Sequence, residues 1–523
     1  MRLLKGHRGV CAGGHPRTVE AGQRAFEAGG NAIDAAVAAQ LMATVAEPLL
    51  TGLGGGGLAL VSRPNETRVL DFFSDLPGRG PQRPFAPLEH VDVQFGVDAQ
   101  RFSYGISSVA TPGMIWGLHA LHQSGGKLPL PTLARWAADS ADSGLEISSG
   151  LSKSIVALMP IISRDPYLVD KLVLRDSEGA FSPAPVGHRY AFPELSETLM
   201  RWAEGGPRAL LSGAPLDQLL DTLGPFAPLG LEDLQRYQIK WRSPLSLSLP
   251  QGDQTLRLLT PRLPSQGGVQ IASLLQRIDR RLKREAKRPD PLGGRALSII
   301  AEEMRHLEQD KGSDWPRLLG SLPEQPTWVT QAGFTTHLSA CDHEGLSVGI
   351  TSSLGETAGV SVDGLGLLLN NFLGETDVAP PHCLPQVGER LFTMCSPSLL
   401  EYPVHGGTQR VSLGSGGSSR IRSVIVHGAL YLSDLLLGIG GEEEQIVRAP
   451  RIHYDHQKLR IETLHRPDDA VISAQDLCNQ WGEELVIFED YNLFFGGLHL
   501  TSSGALGLRG AGDPRRSGSV SFA

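Results

Sequence analysis

The chain has 523 residues, of which 41% are hydrophobic and 20% are charged, and this balance excludes a disordered or fibrous protein. Its net charge of −9 gives no reason to expect nucleic acid or an anionic membrane as a partner. The length exceeds that of most single hydrophobic cores, although large α/β enzymes with one core exist.

The first predicted elements are two helices. Residues 18–28 show helical spacing and end at the pair Gly29-Gly30, a good helix stop. Asn31 then caps an alanine-rich helix that Pro48 ends. The small side chains on most of its faces predict a helix packed from several sides. Polar residues within 32–50 favour this buried helix over a membrane span.

A glycine run follows at residues 52–57, and two strand-like segments, LALVS and TRVLDFF, come after it. Apolar strands after a buried helix predict a layered α/β core. The glycine run is also compatible with a phosphate loop. However, no Gly-Lys-Ser/Thr sequence follows it, which disfavours nucleotide binding.

The middle and the C-terminal part of the chain differ in character. Residues 130–330 are predicted to be mainly helical, with Pro- and Gly-rich connections. After Gly333, THLSACD and LSVGITSSL are period-two strands joined by a hairpin turn at residues 342–345. GLGLLLNN and RVSLGS predict further strands, and GSGGSSRI leads from a glycine-rich turn into an apolar helix. Without an internal repeat or a long linker, we expect one interleaved core.

The N-terminal residues and the cysteines indicate in which cellular compartment the protein is expected. The first ten residues lack the apolar region of a signal peptide, so none is expected. The cysteines are odd in number and scattered, which predicts free thiols and a cytoplasmic protein: Cys11, Cys341, Cys383, Cys395 and Cys478. The histidines show no metal-ligand pattern, and neither a metal nor an organic cofactor is expected.

The segment Gly333-Phe334-Thr335-Thr336-His337 is the strongest candidate for a catalytic site. A threonine hydroxyl is a poor nucleophile at neutral pH and needs an adjacent base. If the peptide bond after Phe334 is cleaved, the free α-amine of Thr335, with a pKa of about 8, can act as that base. Taken alone, this segment favours the interpretation that the two threonines are ordinary β-forming residues at the start of a strand.

The wider sequence resembles the γ-glutamyltransferase family over nearly its whole length. Seven segments match that family in the same order, and seven matches in register indicate common descent. They are residues 29–57, ATPGMIWGLHAL (110–121), LPSQGGVQ (263–270), TTHLSACD (335–342), GSGGSSRI (414–421), RAPRIHY (448–454) and GAGDPRRSG (510–518).

The resemblance implies an α/β (α+β) fold of the four-layer αββα Ntn-hydrolase type, with two stacked sheets flanked by helices. It also implies a proenzyme that is split into a large subunit, residues 1–334, and a small subunit, residues 335–523. Both subunits contribute to one core and stay together as an obligate pair. The other expected partner is a small-molecule or peptide amide substrate.

Catalytic roles follow from the resemblance residue by residue. Thr335 is the nucleophile, and cleavage falls between Phe334 and Thr335. Thr351 matches a threonine that supports the hydroxyl of the nucleophile, and Ser353 replaces a second supporting threonine. Gly417 and Ser418 match the pair whose backbone amides form the oxyanion hole. By itself, the GSGGSSR segment is equally compatible with an anion-binding nest or a plain strand-to-helix turn.

The residues that would hold a glutamyl head group depart from the family pattern. The carboxylate-gripping arginine is replaced by Phe73, an asparagine by Gly355, and a glutamine by Phe372. Glu375 occupies the position of the amine-binding aspartate, and Phe392-Thr393 occupies that of a serine pair. Burying a charged head group without partners is costly, so these changes predict an apolar acyl pocket. The segment between Glu375 and Thr393 is also short for the family, which predicts an open cleft.

Two classes of function are therefore compatible with the sequence. The first is a self-processing threonine amidohydrolase or acyltransferase of γ-glutamyltransferase type. Within it, a related acyl amide (glutaryl-like, oxamate-like or peptide-derived) is favoured over a strict γ-glutamyl substrate, because most residues for the glutamyl head are absent. The alternative is a non-cleaving pseudoenzyme that serves as a binding or scaffold protein, since a shared fold does not fix function.

Overall fold

A computed structural model describes residues 7–81, 84–95, 98–177, 179–309, 334–376, 378–379, 384–439 and 443–523. Within these ranges the α-helices are Pro16–Glu27, Ala32–Ala46, Met114–Gln123, Leu130–Ser143, Ser149–Ile162, Pro166–Leu172, Pro193–Gly205, Gly213–Leu223, Leu231–Arg236, Gln266–Leu282, Gly294–Gln309, Arg420–Leu436, Glu443–Ile446 and Asp468–Trp481. None of these helices is both long and apolar enough to cross a lipid bilayer.

Two antiparallel sheets form the centre of the molecule. In spatial order, the first sheet contains Lys240–Arg242, Glu66–Phe72, Gly56–Arg63, Ser347–Ser353, Thr335–Asp342, Gly9–Gly13 and Ser519–Phe522. The second sheet contains Leu245–Gln251, Gln254–Thr260, Ser398–Val404, Gly407–Gly416, Gly497–Gly504 and Arg509–Ala511. Both sheets combine strands from before and after Thr335.

Smaller sheets lie outside this centre. A three-stranded sheet contains Ile452–Asp455, Lys458–Glu462 and Glu484–Phe488. Four two-stranded ribbons pair Glu89–Phe95 with Asp98–Tyr104, Leu145–Glu146 with Arg189–Tyr190, Val173–Arg175 with Phe181–Pro183, and Ser361–Val362 with Leu367–Leu368. The region 130–309 is mainly helical, as predicted, but it also supplies Lys240–Arg242, Leu245–Gln251 and Gln254–Thr260 to the two large sheets. Residues 310–333 lie outside the described part.

The two large sheets contact each other, and helices pack against each of them. The hydroxyl groups of Ser339 in the first sheet and Ser412 in the second lie 3.3 Å apart. The helices Pro16–Glu27 and Ala32–Ala46 pack against the first sheet, while Gln266–Leu282 and Arg420–Leu436 pack against the second. The central strands Thr335–Asp342 and Ser347–Ser353 are buried along their whole length, as a layered α+β core requires.

The predicted helix after Asn31 forms and is buried along its whole length, Ala32–Ala46. The Asn31 side chain accepts hydrogen bonds from the backbone N–H groups of Ile33 and Asp34, and the Asp34 carboxylate accepts one from the Asn31 N–H. This reciprocal pairing satisfies donors that a helix start leaves free. Alanine dominates the helix, so neighbouring elements can approach closely on every side.

Candidate active site

Thr335 is the first residue of a central strand, paired with Ser353 on the neighbouring strand. Side chains alternate between the two faces of a strand, so Thr335 and His337 point towards the second sheet. Thr336 points to the opposite face, where its hydroxyl donates to Glu47 at 2.6 Å. Thr335 is only 4% exposed, so the candidate nucleophile lies between the two sheets.

Ser353 connects the nucleophile to the peptide bond that precedes it. Its hydroxyl donates to the Phe334 carbonyl oxygen at 2.7 Å and accepts from the Thr335 hydroxyl at 3.3 Å. The Gly355 N–H donates to the Ser353 hydroxyl oxygen at 2.8 Å, which fixes the orientation of this hydroxyl group. The predicted supporting hydroxyl of Ser353 therefore contacts both the attacking group and the carbonyl group that it would attack.

Thr351 lies opposite His337 on the neighbouring strand. Its hydroxyl lies 2.8 Å from His337 Nδ1. His337 Nε2 in turn lies 2.8 Å from the hydroxyl of Ser339. Burial lowers the pKa of His337, so the ring is neutral near pH 7. In this structure Thr351 orients His337, and a direct role beside Thr335 stays a prediction.

Two buried charged residues fix the backbone around Thr335, and sequence reasoning did not identify either. Arg516 Nη1 donates to the Thr335 carbonyl oxygen at 3.1 Å. Burial lowers the pKa of Arg516 to about 10, which leaves it cationic at neutral pH. Glu47 accepts hydrogen bonds from Thr336 and from Thr18, at 2.6 and 2.9 Å, and burial raises its pKa. Arg516 lies in the recognised GAGDPRRSG segment, which was the only sequence signal for it.

The predicted oxyanion turn lies directly beside the nucleophile. A Cβ atom added at Gly416 would overlap the Thr335 carbonyl oxygen, so the two strands meet at this glycine. Gly417 and Ser418 follow with φ angles of 113° and 44°, and the helix Arg420–Leu436 begins two residues later. Positive φ is uncommon for serine, and the start of a helix favours negative charge. This placement is compatible with an oxyanion hole, which stays a prediction.

A cluster of buried polar side chains stabilises this turn. The Ser419 hydroxyl donates to Asp455 Oδ2 at 3.2 Å, and His453 Nε2 lies 2.9 Å from the same oxygen. The hydroxyl of Ser423 lies 2.7 Å from His453 Nδ1. Burial lowers the pKa of His453 to about 4, so it is neutral at pH 7. These side chains are fully buried, and they hold the turn and the helix start in place.

A small pocket lies beside Thr335. It brings together seven residues that the sequence singled out: Phe73, Thr335, Ser353, Phe372, Glu375, Thr393 and Ser418. Val378, Met394, Cys395 and Ile421 also line it and were not anticipated. The ring centroids of Phe73 and Phe372 lie 4.6 Å apart, a normal distance for an aromatic pair. The geometry thus places an apolar wall next to the nucleophile.

Two other predicted substrate residues lie outside the lining. Gly355 is behind it, with φ +69°, and a Cβ atom added there would lie 2.5 Å from Glu375 Oε1 and would overlap Asn371 Oδ1. A side chain at Gly355 would therefore displace these two polar groups. Phe392 is half-buried and precedes Thr393, which does line the pocket.

The glycine run after the buried helix packs against backbone near the active site. A Cβ atom at Gly54 would overlap the Leu368 carbonyl oxygen, and one at Gly55 would overlap that of Ser353. Such close approach requires glycine. Backbone packing therefore accounts for the glycine run, and a bound phosphate is not needed to explain it. In the described part of the chain, no group of three or more His, Cys, Asp and Glu side chains is arranged to hold a metal ion.

A buried threonine at the start of a central strand, beside a pocket in an α+β fold, forms a candidate enzyme active site. The profile of the gamma-glutamyltranspeptidase family matches residues 18–315 and 316–523. The chain therefore belongs to this family. The comparisons give no support to the alternative of a non-cleaving scaffold protein.

Known relatives include both acylases and glutathione hydrolases. The acylase ACY 1 proenzyme of a Pseudomonas species is 27% identical over 492 residues, which cover 87% of this chain and 84% of the relative. The glutathione hydrolase proenzyme of Pseudomonas aeruginosa is 25% identical over 541 residues, which cover 94% and 90%. The crystal structure of cephalosporin acylase from Bacillus halodurans shares the fold, with a TM-score of 0.72, 21% identity, and coverage of 98% and 96%.

Proposed function

We propose that this protein is a self-processing threonine amidohydrolase that cleaves its own chain between Phe334 and Thr335 and then hydrolyses acyl amides. The observation that carries the proposal is the position of Ser353, whose hydroxyl contacts both the Thr335 hydroxyl and the Phe334 carbonyl oxygen. A single hydrogen-bonding group thus connects the attacking oxygen with the carbonyl that it attacks. The four-layer αββα arrangement expected from the sequence is part of this proposal.

Self-cleavage requires that the peptide be held on both sides of the reacting carbonyl. Glu356 Oε1 accepts a hydrogen bond from the Phe334 N–H at 3.2 Å, and Arg516 holds the Thr335 carbonyl. The Thr335 hydroxyl oxygen attacks the Phe334 carbonyl carbon, while the Ser353 O–H stabilises the developing negative charge. The C–N bond breaks, its nitrogen takes the proton, and an ester joins Phe334 to the Thr335 oxygen. Water then hydrolyses this ester and releases a new C-terminus and a free Thr335.

The same groups serve the turnover of substrate after cleavage. The freed α-amine of Thr335 removes the proton from the hydroxyl, which attacks the carbonyl carbon of the substrate amide. The backbone N–H groups of Gly417 and Ser418 stabilise the oxyanion. The ammonium then protonates the departing amine, and an acyl-threonine ester remains. Attack by water regenerates the enzyme, and attack by an amine acceptor transfers the acyl group.

The proposed products of self-cleavage are a large subunit, residues 1–334, and a small subunit, residues 335–523. The proenzyme names of the acylase and glutathione hydrolase relatives support a processed precursor. Those names also support an amide substrate of acyl or γ-glutamyl type. The apolar wall of Phe73 and Phe372 supports an acyl specificity different from that for a free glutamyl head.

Intact mass spectrometry of freshly purified wild-type protein and Thr335→Ala tests this function. We expect two fragments in the wild type, the smaller beginning at Thr335, and one uncut chain in Thr335→Ala. Thr335→Ser is the matched control, because it keeps the hydroxyl and is expected to be cut. A single uncut wild-type chain after long incubation would contradict the proposal and favour the scaffold alternative.

A further inference from the structure

A second pocket lies between the helices Gly294–Gln309 and Arg420–Leu436, apart from the active site. Leucine, isoleucine, proline and alanine side chains form most of its wall, and it shares no residue with the pocket beside Thr335. The helix Arg420–Leu436 borders both pockets, with Ile421 at the first and His427 at the second. At 1.5 Å per residue, these two positions are about 9 Å apart along the helix axis, so the pockets are separate.

The lining of the second pocket includes one ion pair. Arg288 Nε donates to Asp434 Oδ1 at 2.8 Å, and the two side chains are 11% and 7% exposed. Burial raises the pKa of Asp434 to about 6, so this carboxyl group is ionised at neutral pH. The two opposite charges compensate each other, so the pair adds no net charge to the lining.

A second arginine in the lining, Arg466, has no acidic partner. Its guanidinium donates to the backbone carbonyl oxygens of Glu462 and Pro450, both at 3.0 Å, and to that of Leu292 at 3.4 Å. Within the described ranges, no carboxylate forms an ion pair with it. Burial lowers the pKa of Arg466 to about 10, which leaves it cationic at neutral pH. An arginine has five N–H donors, and these bonds use three of them.

The histidine in the lining is neutral. His427 Nδ1 lies 2.7 Å from the Ser423 carbonyl oxygen, which can only accept, so Nδ1 carries the hydrogen. Burial, together with the nearby charge of Arg466, lowers the pKa of His427 to about 3. Among the described lining residues, Arg466 is therefore the one cation whose charge is not compensated.

We infer that the second pocket binds a small monocarboxylate with an apolar body. The carboxylate pairs with Arg466, since a guanidinium presents parallel N–H groups that match a carboxylate. The body packs against the apolar wall, and an apolar wall with a few converging polar groups is typical of ligand sites. One uncompensated cation matches one anionic group, and a second buried carboxylate would lack a partner. This inference does not depend on the proposed amidohydrolase function.

Isothermal titration calorimetry of the wild-type protein with four six-carbon compounds tests the charge preference. Hexanoate carries one carboxylate, hexanamide is its neutral analogue, hexylamine carries a cation, and adipate carries a carboxylate at each end. We expect hexanoate to bind about 10- to 100-fold more tightly than hexanamide, the value of a charge-assisted hydrogen bond. Hexylamine and adipate should also bind more weakly than hexanoate. A wild type that binds hexanoate no better than hexanamide would overturn the inference.

Arg466→Gln tests the residue assigned to the carboxylate. This variant should bind hexanoate only as tightly as the wild type binds hexanamide, because the charge is removed. Arg189→Gln is the matched control. Arg189 also donates to backbone carbonyl oxygens, those of Ser143 and Gly144 at 2.7 and 3.2 Å, but it lies outside the second pocket. It should bind hexanoate like the wild type. Wild-type affinity in Arg466→Gln would place hexanoate elsewhere and overturn the inference.

A further variant keeps the charge of Arg466 and its bonds to the backbone, on which local folding depends. Ala296 is 3% exposed and lines the second pocket from the helix Gly294–Gln309. Ala296→Leu fills part of the ligand space, so it should weaken hexanoate binding by about 10-fold or more while its circular dichroism spectrum stays that of the wild type. A folded Ala296→Leu protein that binds hexanoate as tightly as the wild type would overturn the inference.

Discussion

At the scale of single residues, Ser353 is the group on which self-cleavage depends most directly. Its hydroxyl donates to the carbonyl oxygen of Phe334, where negative charge develops as the Thr335 oxygen attacks. Removal of one such donor typically lowers a rate by about 10²- to 10³-fold. Ser353→Ala should therefore slow the appearance of the two fragments by that factor. The cut fraction can be followed over time after cell-free synthesis.

Ser353→Thr is the control for this prediction. It keeps the hydroxyl and adds one methyl group, as in the family pattern that the sequence resembles, so it should be cut at a rate close to that of the wild type. Cleavage of Ser353→Ala at the wild-type rate would show that the contact between Ser353 and Phe334 does not assist the reaction.

The residues that the sequence identified at this site lie in recognisable segments. Thr335, Ser353 and the turn at Gly417 fall in the strand pair and the glycine-rich turn, and the structure brings them together. Arg516 and Glu47 could not be paired with them in advance. They contact Thr335 and Thr336 from 181 and 289 residues away in the chain, and no local pattern encodes such a contact.

At the scale of secondary-structure elements, the approach of the strand Gly407–Gly416 to the nucleophile depends on its last glycine. A Cβ atom at Gly416 would overlap the backbone oxygen of Thr335, and backbone cannot move aside as a flexible side chain can. Overpacking of this kind costs about 1–3 kcal/mol. Gly416→Ala should lower the free energy of unfolding in denaturant by about that amount and reduce the cut fraction.

Gly13→Ala is a matched control for Gly416→Ala, since Gly13 is also a buried strand glycine in the layered core. A Cβ atom at Gly13 would meet its nearest neighbour, Thr18 Cγ2, at 3.4 Å, which is ordinary contact. The control should stay within about 0.5 kcal/mol of the wild type and be cut normally. Equal effects of the two substitutions would contradict the argument from close approach.

Several elements were predictable because their signals are local. The hairpin formed by Thr335–Asp342 and Ser347–Ser353 is as expected, and Gly345 in its turn has φ +85°. The segment GLGLLLNN was expected to form a strand, but only Leu367–Leu368 does so. Gly364 and Gly366 have φ angles of 71° and 58°, and such residues turn the chain and interrupt a ladder. Apolar composition alone could not show this.

At the scale of the whole molecule, the proposed cleavage point divides the chain but not the core. In the first sheet, Gly56–Arg63 pairs with Ser347–Ser353 through seven residue pairs, and these strands lie on opposite sides of Thr335 in the sequence. The second sheet likewise joins Gln254–Thr260 to Ser398–Val404. Separation of the two fragments would expose sheet edges and the apolar faces of both sheets to water.

After cleavage, the two fragments should therefore stay associated and unfold together. We expect the two fragments of the wild type to co-elute on native size-exclusion chromatography, at the volume of the uncut Thr335→Ala protein, and to separate only in denaturant. Calorimetry should show a single unfolding transition for the cut protein, because both fragments contribute to the same core. Separate elution of the fragments in native buffer would show that the interleaved strands, such as Gly56–Arg63 and Ser347–Ser353, do not hold the halves together.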